Sequence, residues 1–362
     1  MKKNVTVLCL FLFSVVILIS CGGDKSNEAR KMNPKLDSLI SSMAACDQQN
    51  TNCPAYVTAS EQIPLMAKDT NIKNLVDDLF NAIAQSTSSP RSAACAHAIN
   101  FWAYDSESFK NAEYGRIIYD ALKKEVYTDA SYVGSTLGQL LSNWLVINDE
   151  LLIKDIHSLI ISKDTEKRGR KELIRLSGKE SFSNQGLIDI LINIANDNKE
   201  AEDVRVACLN VLWRAEENSQ YKKVEDMYLG FVSNANNSPT IIGSSIEGLG
   251  YMKSVNGYNV ILKTAEELGA KEEFCSSVSR SLSNYISYEE KEGIDKKKAF
   301  DVCVKFVNNK DIKPSYRSYY IYSVESFGGK EALAVLKKLS ESNDKEIADP
   351  AKQAMERVKN KI

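Results

Sequence analysis

Eight cysteines and two histidines are the residues here able to act as thiolate nucleophiles, imidazole bases or soft metal ligands. Cys95-Ala96-His97 places two of them two positions apart. On a helix of 3.6 residues per turn those side chains point about 200° apart, so they form neither a ligand pair nor a Cys–His dyad, and core packing is the better assignment. His157 stands alone in KDIHSLI, as a surface or half-buried helix residue. Asp77 and Asp78 are adjacent carboxylates on a helical pattern and face different ways, so they make no acid/base pair by themselves. The run Glu289-Glu290-Lys291-Glu292 reads as a solvated loop or helix end. The sequence holds no G-x-x-x-x-G-K-[ST] phosphate loop, no H-E-x-x-H zinc helix, no G-x-S-x-G elbow, no G-x-G-x-x-G after a strand and no D-x-[DN]-x-[DN]-G calcium loop. The expectation is a non-enzymatic protein with no metal and no cofactor.

One cysteine has chemistry written around it. Met1-Lys2-Lys3-Asn4 is a short positive start, residues 5–19 are apolar apart from Thr6 and Ser14, and Leu18-Ile19-Ser20-Cys21 follows. Fifteen residues suit a signal core and are short for a span, which needs roughly 20. The segment resembles the lipobox of bacterial lipoproteins. That resemblance implies diacylglycerol on the Cys21 thiol, cleavage after Ser20, and acyl chains such as palmitate. Two or three chains give stable anchoring, because each buried methylene contributes about 0.8 kcal/mol. Residues 1–20 are then a lipoprotein signal peptide. Gly22 stands where an Asp would retain an enterobacterial lipoprotein in the inner membrane, so the resemblance favours the outer membrane, on its periplasmic or surface face. Residues 21–34 read as a lipidated flexible tether.

Export makes disulfides chemically available. Cys46 and Cys53 flank the polar stretch DQQNTN between two helix-like segments and are the best disulfide candidate, the alternative being two loop thiols. Cys208, Cys275 and Cys303 sit inside apolar helical patterns and read as small core residues.

The elements that must carry these residues are helical. The chain has 362 residues, 43% hydrophobic and 26% charged, enough for an extensive core. Its net charge of −2 becomes −4 once Lys2 and Lys3 leave with the signal, which gives no electrostatic reason to bind nucleic acid. LDSLISSM, NLVDDLFNAIAQ, LLIKDIHSLIIS and LIDILINIAN show apolar residues at i, i+3, i+4 and i+7. Short polar breaks separate such runs, and Asp129, Asp149, Asn184, Ser238 and Asp344 stand where N-caps belong. No strand-like alternation with hairpin turns occurs. An all-α fold of about seventeen helices of 10–17 residues is expected.

The helices recur in pairs. Asp203 to Leu212 carries an apolar residue, then Arg205, then small residues, then a late leucine, and Pro239 to Gly250 repeats the pattern with a closing Leu249-Gly250. Aligned on the late apolar position, the copies fall at Ile99, Leu141, Leu176, Leu212, Leu249, Leu282, Val324 and Met355, spaced 31 to 42 residues apart. The arginine is found at Arg205 and Arg317 alone. The chain resembles HEAT-repeat proteins over residues 90–362. The resemblance implies a right-handed, armadillo-like α-solenoid of seven to eight helix pairs whose second helices line a concave, protein-binding face. Residues 35–89 fit the period poorly and are expected to form an N-terminal helical cap.

Residues two before and two after each late apolar position point away from the core. They are Gln139 and Asn143, Asn210 and Arg214, Glu247 and Tyr251, Arg280 and Asn284, and Tyr322 and Ser326, with Tyr319 one turn from the last pair. Amides, arginines and tyrosines suit an interface, and lysine, depleted at interfaces, is absent from the set. Tyr316, Tyr319, Tyr320 and Tyr322 cannot all be buried on one helix stripe, so some must be exposed. The function expected is a membrane-anchored scaffold that binds a protein. The alternatives are an accessory or enzyme acting on cell-wall or surface polymer, and a purely structural surface lipoprotein.

Overall fold

The computed structural model describes residues 31–46, 52–69, 72–86, 89–103, 112–123, 150–163, 170–171, 173–175, 185–217, 220–287 and 292–360. Cys21, Gln139, Asn143, the late apolar residues Leu141 and Leu176, and the N-cap candidates Asp129, Asp149 and Asn184 lie outside them.

The described residues form sixteen α-helices, one 3-10 helix and no strand. The helices are α1 (Pro34–Ala44), α2 (Pro54–Asp69), α3 (Ile72–Gln85), α4 (Ser89–Ala103), α5 (Ala112–Lys123), α6 (Glu150–Ile161), α7 (Gln185–Asn196) and α8 (Glu202–Leu212). After the 3-10 helix Trp213–Glu217 come α9 (Tyr221–Ser233), α10 (Pro239–Met252), α11 (Val255–Leu268), α12 (Glu272–Ile286), α13 (Lys296–Asn308), α14 (Pro314–Phe327), α15 (Gly329–Ser340) and α16 (Lys345–Lys359).

Local chemistry sets the helix ends. Ser238 Oγ accepts the Ile241 N–H at 3.4 Å with Pro239 opening α10, and Asp344 Oδ1 accepts the Glu346 N–H at 3.0 Å, so both act as the N-caps expected of them. Lys253 holds φ 50°, a left-handed conformation that turns α10 sharply into α11, and its N–H satisfies carbonyls at the end of α10.

From α7 onward the helices pack as consecutive pairs: α7 with α8, α9 with α10, α11 with α12, α13 with α14, and α15 with α16. Each second helix also packs closely on the next, in the row α8, α10, α12, α14, α16. First helices touch one another far less. The second helices start at Glu202, Pro239, Glu272, Pro314 and Lys345, steps of 37, 33, 42 and 31. At the N-terminal end α4 packs on α1, α2 and α3, and α3 on α5. One apolar cluster runs from Leu36 to Val358. This serial burial is what an α-solenoid requires, since no pair can cover its own apolar stripe.

Small residues allow the close approach in the second-helix row. A Cβ on Gly250 would lie 2.8 Å from Ser281 Cα, so glycine is needed where α10 meets α12. Hydroxyls then stitch the row: Ser281 Oγ donates to Ile246 O at 2.6 Å, Ser323 Oγ to Ser279 O at 2.7 Å, and Ser283 and Ser326 share a hydrogen bond of 2.6 Å.

An arginine recurs within pairs. The Nε–H of Arg205 donates to Ala195 O at 2.8 Å and that of Arg317 to Val307 O at 2.8 Å, each ten residues back at the end of the preceding first helix. The cation thereby fills one of the carbonyls a helix C-terminus leaves unpaired. Arg170 does the same to Ile160 O at 3.0 Å, which corrects the sequence expectation of only two such arginines. Counting seven residues back from Leu176 lands on Gly169, one short of the residue that makes the contact. Arg170 also pairs with Glu200 at 2.9 Å; the arginine is buried and the glutamate half-buried.

Candidate functional site: a groove along the second helices

The cysteines and histidines divide as their surroundings dictate. Cys46 and Cys53 are bridged, with Cα atoms 6.3 Å apart. Cys95, Cys208, Cys275 and Cys303 are free and buried. Burial pushes the thiols of Cys95 and Cys303 up to about 12 and that of Cys275 to about 11, which keeps them protonated and unreactive. His97 turns to Tyr56, whose hydroxyl lies 3.5 Å from Nδ1, and burial lowers the imidazole to about 4. Burial also lowers His157. Asp77 takes the Tyr114 hydroxyl while Asp78 accepts the Asn33 N–H at 3.3 Å, so the two carboxylates do face different partners. Among the described residues no three His, Cys, Asp or Glu side chains could share a metal ion, and no helix is long and apolar enough to cross a membrane.

The polar residues that do converge lie on the second helices. A groove of about 850 Å³ is lined by Lys171 and Arg175, by α8 and by the start of α10. Its lining combines the small apolar Val206, Ala207 and Val211 with Lys171, Arg175, Asn210, Arg214, Glu202 and Asp203. Lys171 Nζ meets Asp203 at 2.8 Å. A second hollow of about 320 Å³ adjoins it through Asn210 and is lined by Trp213, Ser244, Glu247, Gly248, Tyr251 and Arg280.

Aromatic and charged groups stiffen this wall. The Trp213 indole donates to Asn210 O at 3.0 Å and stacks on Tyr251, centroids 4.9 Å apart. The Arg214 guanidinium lies 5.1 Å from the Trp213 ring centre, within cation–π range. Arg280 pairs with Glu247 at 2.8 Å. Burial works against the Arg280 charge, yet the Glu247 carboxylate and the Tyr251 hydroxyl hold it above its usual value. Arg214, by contrast, is lowered by burial.

Asn210, Arg214, Glu247, Tyr251 and Arg280, expected from spacing to share a face, therefore line one continuous groove. Asn284 lines neither hollow, and its buried Nδ2 has no acceptor among the described residues. Of the four tyrosines on α14, Tyr320 is fully buried and donates to Gly269 O at 2.7 Å, while Tyr319 and Tyr322 are 40% and 48% exposed. Arg357 stands over Tyr322 at 6.0 Å and grips Glu325 through two bonds of 2.7 Å.

Four residues of this surface escaped sequence reasoning. Arg357 lies two past Met355 and follows from the same rule. Lys171 and Arg175 stand one and five places after Arg170, as Val206 and Asn210 do after Arg205. Trp213 follows Leu212, where the chain tightens from α8 into the 3-10 helix and turns the indole along the groove wall.

The fold is a HEAT-like α-solenoid with a groove along its second helices. Among solved structures, importin beta is similar in fold. A crystal structure of importin beta matches with a TM-score of 0.52 at 12% identity, over 89% of this chain and 46% of that one. Kap121p bound to Nup53p matches with a TM-score of 0.45 at 11% identity, over 88% and 37%. A crystal structure of an engineered protein matches with a TM-score of 0.38 at 16% identity, over 91% and 99%. The chain thus spans about half the length of importin beta. No family model matches the sequence, and no curated protein does.

Proposed function

We propose that this protein is a non-catalytic, protein-binding scaffold of the bacterial cell envelope, tethered by lipid on Cys21 and gripping its partner along the second-helix groove. The observation that carries the reading is the convergence of Asn210, Arg214, Glu247, Tyr251 and Arg280 on two adjoining hollows. Arg and Tyr are enriched at interface hot spots, and the larger hollow is of ligand-binding size. The anchor rests on the sequence Leu18-Ile19-Ser20-Cys21, and the Gly22 that follows favours the outer membrane.

A photo-crosslinking residue at position 210, in the full chain expressed in its own cells, tests the groove. A discrete protein adduct is expected there and not at Lys263, an exposed residue on the first helix α11. Equal adducts at both positions, or none at 210, would reject it. Mass spectrometry of the mature N-terminus tests the anchor: acyl mass on Cys21 is expected, and a Cys21→Ala chain should leave the membrane fraction.

A further inference from the structure

The smaller hollow has a chemical preference of its own. Resting on the groove reading above, we infer that it is an anchor pocket for one aromatic side chain of the partner that carries a hydrogen-bond donor, a tyrosine or a tryptophan. At about 320 Å³ it has the room of about ten water molecules, enough for one large side chain and too little for a folded segment. Trp213 and Tyr251, stacked with centroids 4.9 Å apart, give it an aromatic wall. Asn210, Ser244, Glu247 and Arg280 supply its polar groups. Buried aromatic anchors of this kind dominate the energetics of protein interfaces.

Charge decides which guests are turned away. The hollow is lined by one guanidinium and one carboxylate, joined at 2.8 Å, so it is neutral as a whole. An acidic side chain would meet Glu247 and a basic one Arg280, a like charge in each case. An aliphatic guest would cover polar groups without satisfying them. The Arg280 bond takes Glu247 Oε2, which leaves Oε1 without a donor among the described residues, and the Asn210 side chain makes no hydrogen bond there either. Burying such groups unpaired is costly. A phenol O–H or an indole N–H meets that need. Its ring meanwhile packs on the Trp213–Tyr251 wall, where aromatic pairs gain more than their buried area alone provides, and the Arg280 guanidinium attracts a neutral π-face.

The test is fluorine NMR of the full mature chain with Cys21→Ala, which needs no detergent, labelled with fluorotryptophan. The sequence holds three tryptophans, so Trp213→Phe identifies the Trp213 signal. The probes are the N-acetyl amides of Tyr, Trp, Phe, Leu, Lys and Glu. The Tyr and Trp amides are expected to shift that signal with low-millimolar affinity, about fivefold more tightly than the Phe and Leu amides. The Lys and Glu amides should leave it in place. Ser244→Leu, which fills the hollow, should abolish the shift, and Glu247→Ala should bring the Tyr and Phe amides level. Circular dichroism checks that each variant keeps its helices. The Leu amide or a charged amide binding as tightly as the Tyr amide would overturn the inference. So would a Trp213 signal that no probe moves, or a shift that survives Ser244→Leu. Crosslinking from position 210 reads whether cells use the groove, and probe selectivity reads which side chain the hollow takes, so either result can fail without the other.

Discussion

Gly248 offers a strict test of how the helix pairs are packed. A Cβ built on it would lie 2.4 Å from Cζ of Tyr228 and under 3.0 Å from two further ring atoms. Carbon atoms rest at about 3.5–4.0 Å, so the ring would have to retreat by more than 1 Å. Tyr228 is fully buried and its hydroxyl donates to Leu209 O, which leaves the ring little freedom. Overpacking costs about 1–3 kcal/mol, and this geometry belongs at the upper end. Loss of the hydroxyl bond would cost about 1 kcal/mol more. Alanine in a helix interior returns about 1 kcal/mol relative to glycine. Gly248→Ala should therefore destabilise by about 3 kcal/mol. Gly230, on α9, has nothing within 4 Å of a built Cβ, so Gly230→Ala should stabilise by up to about 1 kcal/mol. Urea unfolding followed by circular dichroism measures both, and Tyr228→Leu should shrink the Gly248→Ala penalty if the ring is its source. A Gly248→Ala chain as stable as the parent would refute the packing argument at this pair.

Three further outcomes follow. Arg170→Met removes the ion pair of the half-buried Glu200 and should cost about 2 kcal/mol in urea titrations at neutral pH. Burial raises the Glu200 carboxyl, but the bonds from Arg170 and the Ala201 N–H outweigh it and hold it below its ordinary 4.5. The pair's contribution is thus present above pH 4.5 and lost on further acidification, so the Arg170→Met deficit should narrow there. His97, lowered to about 4 from 6.5, stays neutral in the folded protein while the unfolded chain binds a proton, so its contribution is complete above pH 6.5 and lost as pH falls toward 4. An NMR titration should find its imidazole still neutral at pH 5.5. Cys46→Ser with Cys53→Ser releases a loop of sequence separation 7 and should cost about 2 kcal/mol. Hydrogen exchange should report that loss in α1 to α4 and leave α13 to α16 unchanged.

The second-helix row was legible because its signal is periodic and local. The late apolar residues from Leu212 to Met355 step by the same 37, 33, 42 and 31 as the observed helix starts. The outward residues followed directly from that register, which is why five of them meet in the groove. Arg170 shows the limit: a one-residue slip in anchoring the copy at Leu176 moved the arginine position onto Gly169 and hid Lys171 and Arg175 with it. Trp213 was hidden for another reason, since the tightening from α-helix to 3-10 helix after Leu212 is a tertiary outcome with no periodic trace. The partition of α14 tyrosines into buried Tyr320 and exposed Tyr319 and Tyr322 was foreseeable in kind and not in identity, because only the neighbouring Gly269 carbonyl selects which hydroxyl goes inward.

The second helices are tightly seamed to one another while the first helices touch only loosely, so the small residues of the seam fix the step from pair to pair. Gly250 and the serines of α12 and α14 keep the seam between second helices thin, and Tyr258, Phe300 and Phe306 reach from first helices onto Tyr285, Phe327 and Tyr320 of the second. The pitch of the row is therefore written in side-chain volumes, and a single added methyl at Gly250 would push α10 away from α12 and lengthen that step.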